Sequence, residues 1–362
     1  MIELDGDKLV FSFPEVHPEA VLRIEFMRTL RIPDDERTYF LPPGLGAFPL
    51  RHVDDFQKQV PPTWLEHGGV MLPMYQAEAL WLNFRSSGSF LEYVMDSDKP
   101  HDLFQFMAGF EDSFYPFIIR IGTGKINAVT GKPWTDQVSR DPQDYVVTPG
   151  QPWLDGYCVE KGVIRQFVAM PLGEGYTAEE QISGKAESGG LQIVVFPMKR
   201  EAYEAYEAKK IQRLRELSRS LHQDFCASMP SYDMGIAPGG RMKQEIYDDP
   251  YKFDDWDLNH RSRCFVHIAN SVDWRAITGE VPPTLPPTAA HYNLYGLPWF
   301  DYYDADIKAL DGAKALEDLK SVAQMSAEKG ETILPENESF ETGNVITLSG
   351  GKSKHLVREG KF

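Results

Sequence analysis

The 362-residue chain is poor in basic residues and in cysteine, and it has no long apolar run. Each shortage excludes something. Against 54 Asp and Glu stand only 37 Lys and Arg, a formal net charge of −17. A field of that sign repels phosphate backbones and anionic bilayers, so neither nucleic acid nor a membrane surface is an expected partner. The three cysteines, Cys158, Cys226 and Cys264, are odd in number and far apart. They form no disulfide framework and fit a reducing compartment. No stretch approaches the roughly 20 apolar residues that span a bilayer. The opening MIELDGDKLVFSF puts acids where a secretion signal needs bases, and FPEVHPE breaks its apolar run, so a cytoplasmic location is expected. The G-x-S-x-G elbow and the H-E-x-x-H helix are missing too, which leaves serine-hydrolase and zincin chemistry without local support.

The composition is that of a globular protein, 42% apolar and 25% charged. A chain of this length buries a full core without metal or disulfide staples. Strand patterns dominate the first two hundred residues: KLVFSF, VLRIEF, GGVMLPM, GVIRQFVAM and GGLQIVVF are short apolar or alternating runs. YPFIIRIGTGKINAVTG reads as a hairpin turning at Gly122-Thr123-Gly124. From Lys199 to Ser228 the period becomes helical, with Tyr203, Tyr206, Ile211, Leu214, Leu217, Leu221 and Phe225 on one stripe. Acids lead this helix and bases follow, as its dipole favours. Further on, RMKQEIY, RCFVHIA and NVITL read as strands, and a last helix is expected from about Asp311 to Lys329, capped by Gly330. The fold class is therefore α+β: a largely antiparallel β-rich region over 1–198, one long amphipathic helix over 199–228, a mixed aromatic-rich α/β region over 229–330 and an extended polar tail over 331–362.

Five stretches could carry chemistry. His260, Cys264 and His267 fall within eight residues, and as a helix they would share one face. Cys-Phe-Val-His-Ile is strand-like, however, which puts Cys264 on one side of a sheet and His267 with Phe265 on the other. Even with His222 and Cys226 added, the spacing matches no paired zinc pattern, and no metal or cofactor is expected. PLGEGYTA has the spacing of a dinucleotide loop at Gly173, Gly175 and Ala178, but its helix is short and Glu174 would face the phosphates. A glycine turn followed by a Thr177–Glu180 capping box explains it. Gly122-Thr123-Gly124-Lys125 lacks the first glycine and the Ser or Thr of a phosphate loop.

The acidic segment EIYDDPYKFDDWD sets Glu245, Asp248, Asp249, Asp254, Asp255 and Asp257 among Tyr247, Tyr251 and Trp256. It could supply an acid and a base for a neutral or sugar-like substrate, or form a solvated loop. YNLYGLPWFDYYD concentrates Tyr292, Tyr295, Trp299, Phe300, Tyr302 and Tyr303, which suit either a core or a contact surface. Beyond it Lys352, Lys354, Arg358 and Lys361 make the tail basic on an acidic molecule. With the local catalytic patterns failing, the expected role is non-catalytic protein interaction or homo-oligomeric assembly through Tyr295, Trp299, Phe300, Tyr302 and Tyr303, partnered by another protein or by self-association. The alternative is an enzyme using carboxylates of residues 245–257, and no catalytic residue is assigned.

Overall fold

A computed structural model describes residues 1–35, 37–86, 115–217, 237–303, 308–331 and 337–349. Alternation sets the first sheet. In Val21–Leu30, the residues Leu22, Ile24 and Phe26 face Phe84 and Leu82 of Glu78–Ser86, an antiparallel pairing that runs from Leu22↔Ser86 to Leu30↔Glu78. The main path of this ten-stranded sheet continues outward through Lys8–Ser12 to Ile2–Asp5. On the other side it runs through Val163–Val168 and Pro238–Lys243 to the short Thr38–Tyr39 strand, the last pairing being parallel.

The second sheet has seven strands, and its centre reads differently. Phe117–Thr123 and Leu191–Pro197 are buried at every position, so their sequences, FIIRIGT and LQIVVFP, are nearly continuous apolar runs rather than alternating ones. That is the pattern of strands covered on both faces. Ser262–Asn270 lies antiparallel to Leu191–Pro197 and parallel to Val70–Met74. Leu22, Phe26 and Leu82 of the first sheet share one hydrophobic cluster with Ile119, Ile193 and Val195 of the second. The other face of the second sheet is covered by the helices Pro62–His67 and Ser271–Thr278, with Met71, Ala269 and Trp274 buried together.

The chain is thus α+β, with mixed sheets. Strands from beyond residue 229 complete sheets begun before residue 198, because Pro238–Lys243 joins the first and Ser262–Asn270 the second. The expected helix after Lys199 is described over Arg200–Leu217; Tyr203 is buried in it, and residues 218–228 lie outside the described residues. The last helix is divided. Lys314–Glu317 ends near Asp318, and Ser321 then starts Val322–Lys329 with a capping box, closed by a left-handed Gly330 as expected. Among the described residues no helix is long and apolar enough to cross a membrane.

Candidate functional site

The RCFVHI segment is a strand. Phe265 and His267 lie on one side with rings stacked at 4.4 Å, while Cys264 stands opposite Ile193. Burial pushes the Cys264 thiol up to about 12, which keeps it protonated and a poor ligand. His260 lies before the strand and bonds Asp257 through Nδ1 (2.8 Å). Among the described residues no group of three or more His, Cys, Asp or Glu side chains gathers as a metal site. His222 and Cys226 lie outside the described residues.

The glycine-rich loops are anion-binding nests whose anions belong to the chain. Glu180 Oε1 accepts the amides of Gly173 (2.8 Å) and Gly175 (2.7 Å), and its Oε2 accepts the amide and hydroxyl of Thr177. Burial opposes ionisation here, but the Thr177 hydroxyl and these three amides outweigh it and hold the carboxyl below its ordinary value. Beside it, Glu179 Oε1 accepts the amides of Glu187 and Ser188, and Oε2 that of Gly189. Both turns are therefore closed by internal carboxylates, a role that the paired acids Glu179-Glu180 beside glycine loops could have signalled in the sequence. The hairpin turn sits at Gly124-Lys125, one residue beyond the expected centre, with Ile126 paired to Thr123.

These loops border a cavity of about 670 Å³. It lies beyond Met74 and Asn270, which end the parallel pair Val70–Met74 and Ser262–Asn270, a position where sheets commonly present ligand sites. Trp64, Met74, Met170, Leu172 and Ile268 form apolar wall, and Thr177, Ser188, Asn270 and Ser271 contribute polar groups. Among the described residues no Lys or Arg lines it, and its acids are Glu179 and Asp273. Asn270 caps the following helix, accepting the amides of Val272 and Asp273 and donating to Asp273 Oδ2 (2.6 Å).

His267 reaches this wall although only 2% of its surface is exposed. Trp64 stacks on its ring at 4.7 Å, and Nε2 lies 3.0 Å from the Gly68 carbonyl. A carbonyl only accepts, so Nε2 carries the proton and Nδ1 keeps its lone pair. Desolvation lowers this imidazole to about 4, against the opposing Gly68 bond, so the ring is neutral near pH 7. Ser271 Oγ is buried with no hydrogen-bond partner. The Asn-Ser-Val-Asp start of a helix straight after the strand is the local sequence signal for this end of the cavity.

The aromatic run divides. Trp299 is fully buried, packed edge-on against Tyr292 and tilted against Phe340, so it supports the surface instead of forming it. Phe300 is half-buried and pairs by backbone with Leu41, whereas Tyr295 is 78% exposed, as is Leu294. The side chains of Tyr302 and Tyr303 lie outside the described residues. Trp299–Tyr303 pairs in parallel with Val345–Ser349, and Asn293 and Gly296 are hydrogen-bonded to residues 341–344 just before that strand. Leu294, Tyr295, Leu297 and Ile346 are thus exposed on one small C-terminal unit.

In the acidic segment, Asp249 is buried and accepts from Tyr145 Oη (2.7 Å), Trp256 Nε1 (2.9 Å) and the Tyr251 amide. Asp248 pairs with Lys308, Asp255 accepts the Lys252 amide, and Asp257 holds the turn to His260. Comparison with protein-family models, curated proteins and solved structures finds no match to the chain.

Proposed function

We infer that this chain is a cytoplasmic, non-catalytic protein that assembles with a second copy of itself through its C-terminal unit. The observation that carries this reading is the exposed apolar set Leu294, Tyr295, Leu297 and Ile346 beside Val345–Ser349, a strand that among the described residues is paired on one side only. The strand is Val-Ile-Thr-Leu-Ser, without the lysine or proline that usually guards an open edge. Addition of a strand from another copy would satisfy its free amides and carbonyls and cover the apolar side chains.

The charge pattern supports the same reading. Lys352, Lys354, Arg358 and Lys361 follow this strand in the sequence, and their charge would offset repulsion between two chains of −17 each. On this reading the protein binds no nucleic acid, membrane or cofactor. Catalysis by residues 245–257 has less support, because Asp248, Asp249, Asp255 and Asp257 are each engaged in holding the local fold.

Sedimentation equilibrium and native mass spectrometry test the reading. The wild-type chain should form a dimer, and Ile346→Lys or Tyr295→Ser, both at exposed positions, should shift it to monomer without loss of secondary structure. A wild-type mass that stays monomeric at every concentration, or dimers unaffected by both substitutions, would remove it.

A further inference from the structure

We propose that the 670 Å³ cavity at the ends of Val70–Met74 and Ser262–Asn270 binds an uncharged, hydroxylated molecule with one apolar face, the chemistry of a glycoside. It stands apart from the assembly surface and does not depend on it. Its size falls within the range that encloses small organic ligands.

Charge selects against anions. No Lys or Arg among the described residues lines the cavity, and the two loops that could cradle a phosphate are occupied by Glu179 and Glu180. Arg31 belongs to the adjoining smaller cavity and donates to the Gln76 carbonyl (2.7 Å). An anionic ligand would have to displace an internal carboxylate from its amides while facing Asp273. Cations find little to gain either: the Glu179 oxygens already accept three amides, and Asp273 lies in the first turn of a helix, where the dipole offsets its charge.

Polarity selects for hydroxyls. A buried polar atom without a partner calls for an explanation, and this wall carries one, Ser271 Oγ. A ligand hydroxyl that meets this wall can either donate to or accept from Ser271 Oγ. Opposite requirements come from Trp64, Met74, Met170 and Leu172, which suit the apolar face of a pyranose ring.

Differential scanning fluorimetry and titration calorimetry on the full chain provide the test. The probes are neutral methyl glycosides and disaccharides, each run beside its phosphorylated counterpart. At least one neutral probe should raise the melting temperature saturably, with the phosphorylated form bound about tenfold more weakly or worse, since its charge would be desolvated without a partner. Ser271→Ala should weaken binding about fivefold, the effect of one lost hydrogen bond. Val272→Trp, at a solvent-exposed position on the rim, should block entry and abolish the shift, with circular dichroism unchanged. The proposal is overturned if no neutral probe shifts melting, if phosphorylated probes bind equally well, or if both variants bind as wild type does. Ile346→Lys should leave affinity intact, which separates this result from failure of the assembly reading.

Discussion

Asp155 shows how far burial alone can move one group. Its carboxyl is almost wholly enclosed, and desolvation pushes it up to about 8, with a Trp153 hydrogen bond opposing weakly. In the unfolded chain the same group ionises near pH ~4. Between these values the folded state binds more protons than the unfolded one, so stability is fully present below about pH 4 and declines as pH rises toward 8. Asp155→Asn removes that titration. Urea unfolding should show the variant more stable by up to about 5 kcal/mol near pH 7.5 and little changed near pH 4. An equal change at both pH values would assign the effect to packing. Residue chemistry of this kind was not legible, because an aspartate in the sequence carries no mark of burial. Trp299 teaches the same lesson in reverse: aromatic type suggested a contact surface, and tertiary packing enclosed it. By contrast the sides taken by Cys264 and His267 followed from the two-residue period of a strand, a property of the backbone.

At the scale of elements, the turn Gly124-Lys125 and the helix Ala178–Ser183 are coupled. Gly124 has φ +54°, and a Cβ there would collide with the side chain of Glu179, which is itself held by three amides. Gly184 shares the left-handed conformation but has open space around it. Gly184→Ala should therefore lower stability by about 1 kcal/mol from backbone strain, and Gly124→Ala by about 3 kcal/mol from strain plus the collision. Thermal melts of the pair measure the difference, and equal losses would rule out the contact. The capping box at Thr177 was readable because it is local, three residues from donor to acceptor. The exact turn was less so: Gly122 looks like a turn residue, but it lies in the strand because its missing Cβ makes room for the Trp134 ring. The divided last helix has a similar cause, since Ser321 competes for the backbone as a cap of its own.

For the whole molecule, the ion pair Arg28–Glu78 ties distant parts together. Arg28 Nε donates to Glu78 Oε2 (2.8 Å), and its Nη2 donates to the Thr284 carbonyl (2.6 Å) in the proline-rich connection. Tyr75, whose amide donates to Glu78, also sends its hydroxyl to Pro283. Both side chains are buried, and desolvation raises the Glu78 carboxyl to about 7 against the pull of Arg28, so the pair is fully charged only above that pH, where removing one partner leaves the other uncompensated. Glu78→Gln should cost about 3 kcal/mol of global stability in urea unfolding with an unchanged m-value, and adding Arg28→Met should recover much of it. A loss below about 1 kcal/mol would mean that water reaches the pair.

The sequence by itself determined the α+β class, many of the strands though not Glu78–Ser86 or Trp299–Tyr303, the first capping box and the acidic field, because period, propensity and charge are properties of neighbouring residues. Only the tertiary structure decided which aromatics are exposed, that Glu179 and Glu180 close their own glycine loops, and that strands from beyond residue 229 complete both sheets. It also placed His267 and Ser271 on one cavity wall. Those outcomes depend on contacts between segments far apart in the chain, and local period and propensity do not reveal which of many competing long-range pairings buries the most apolar surface.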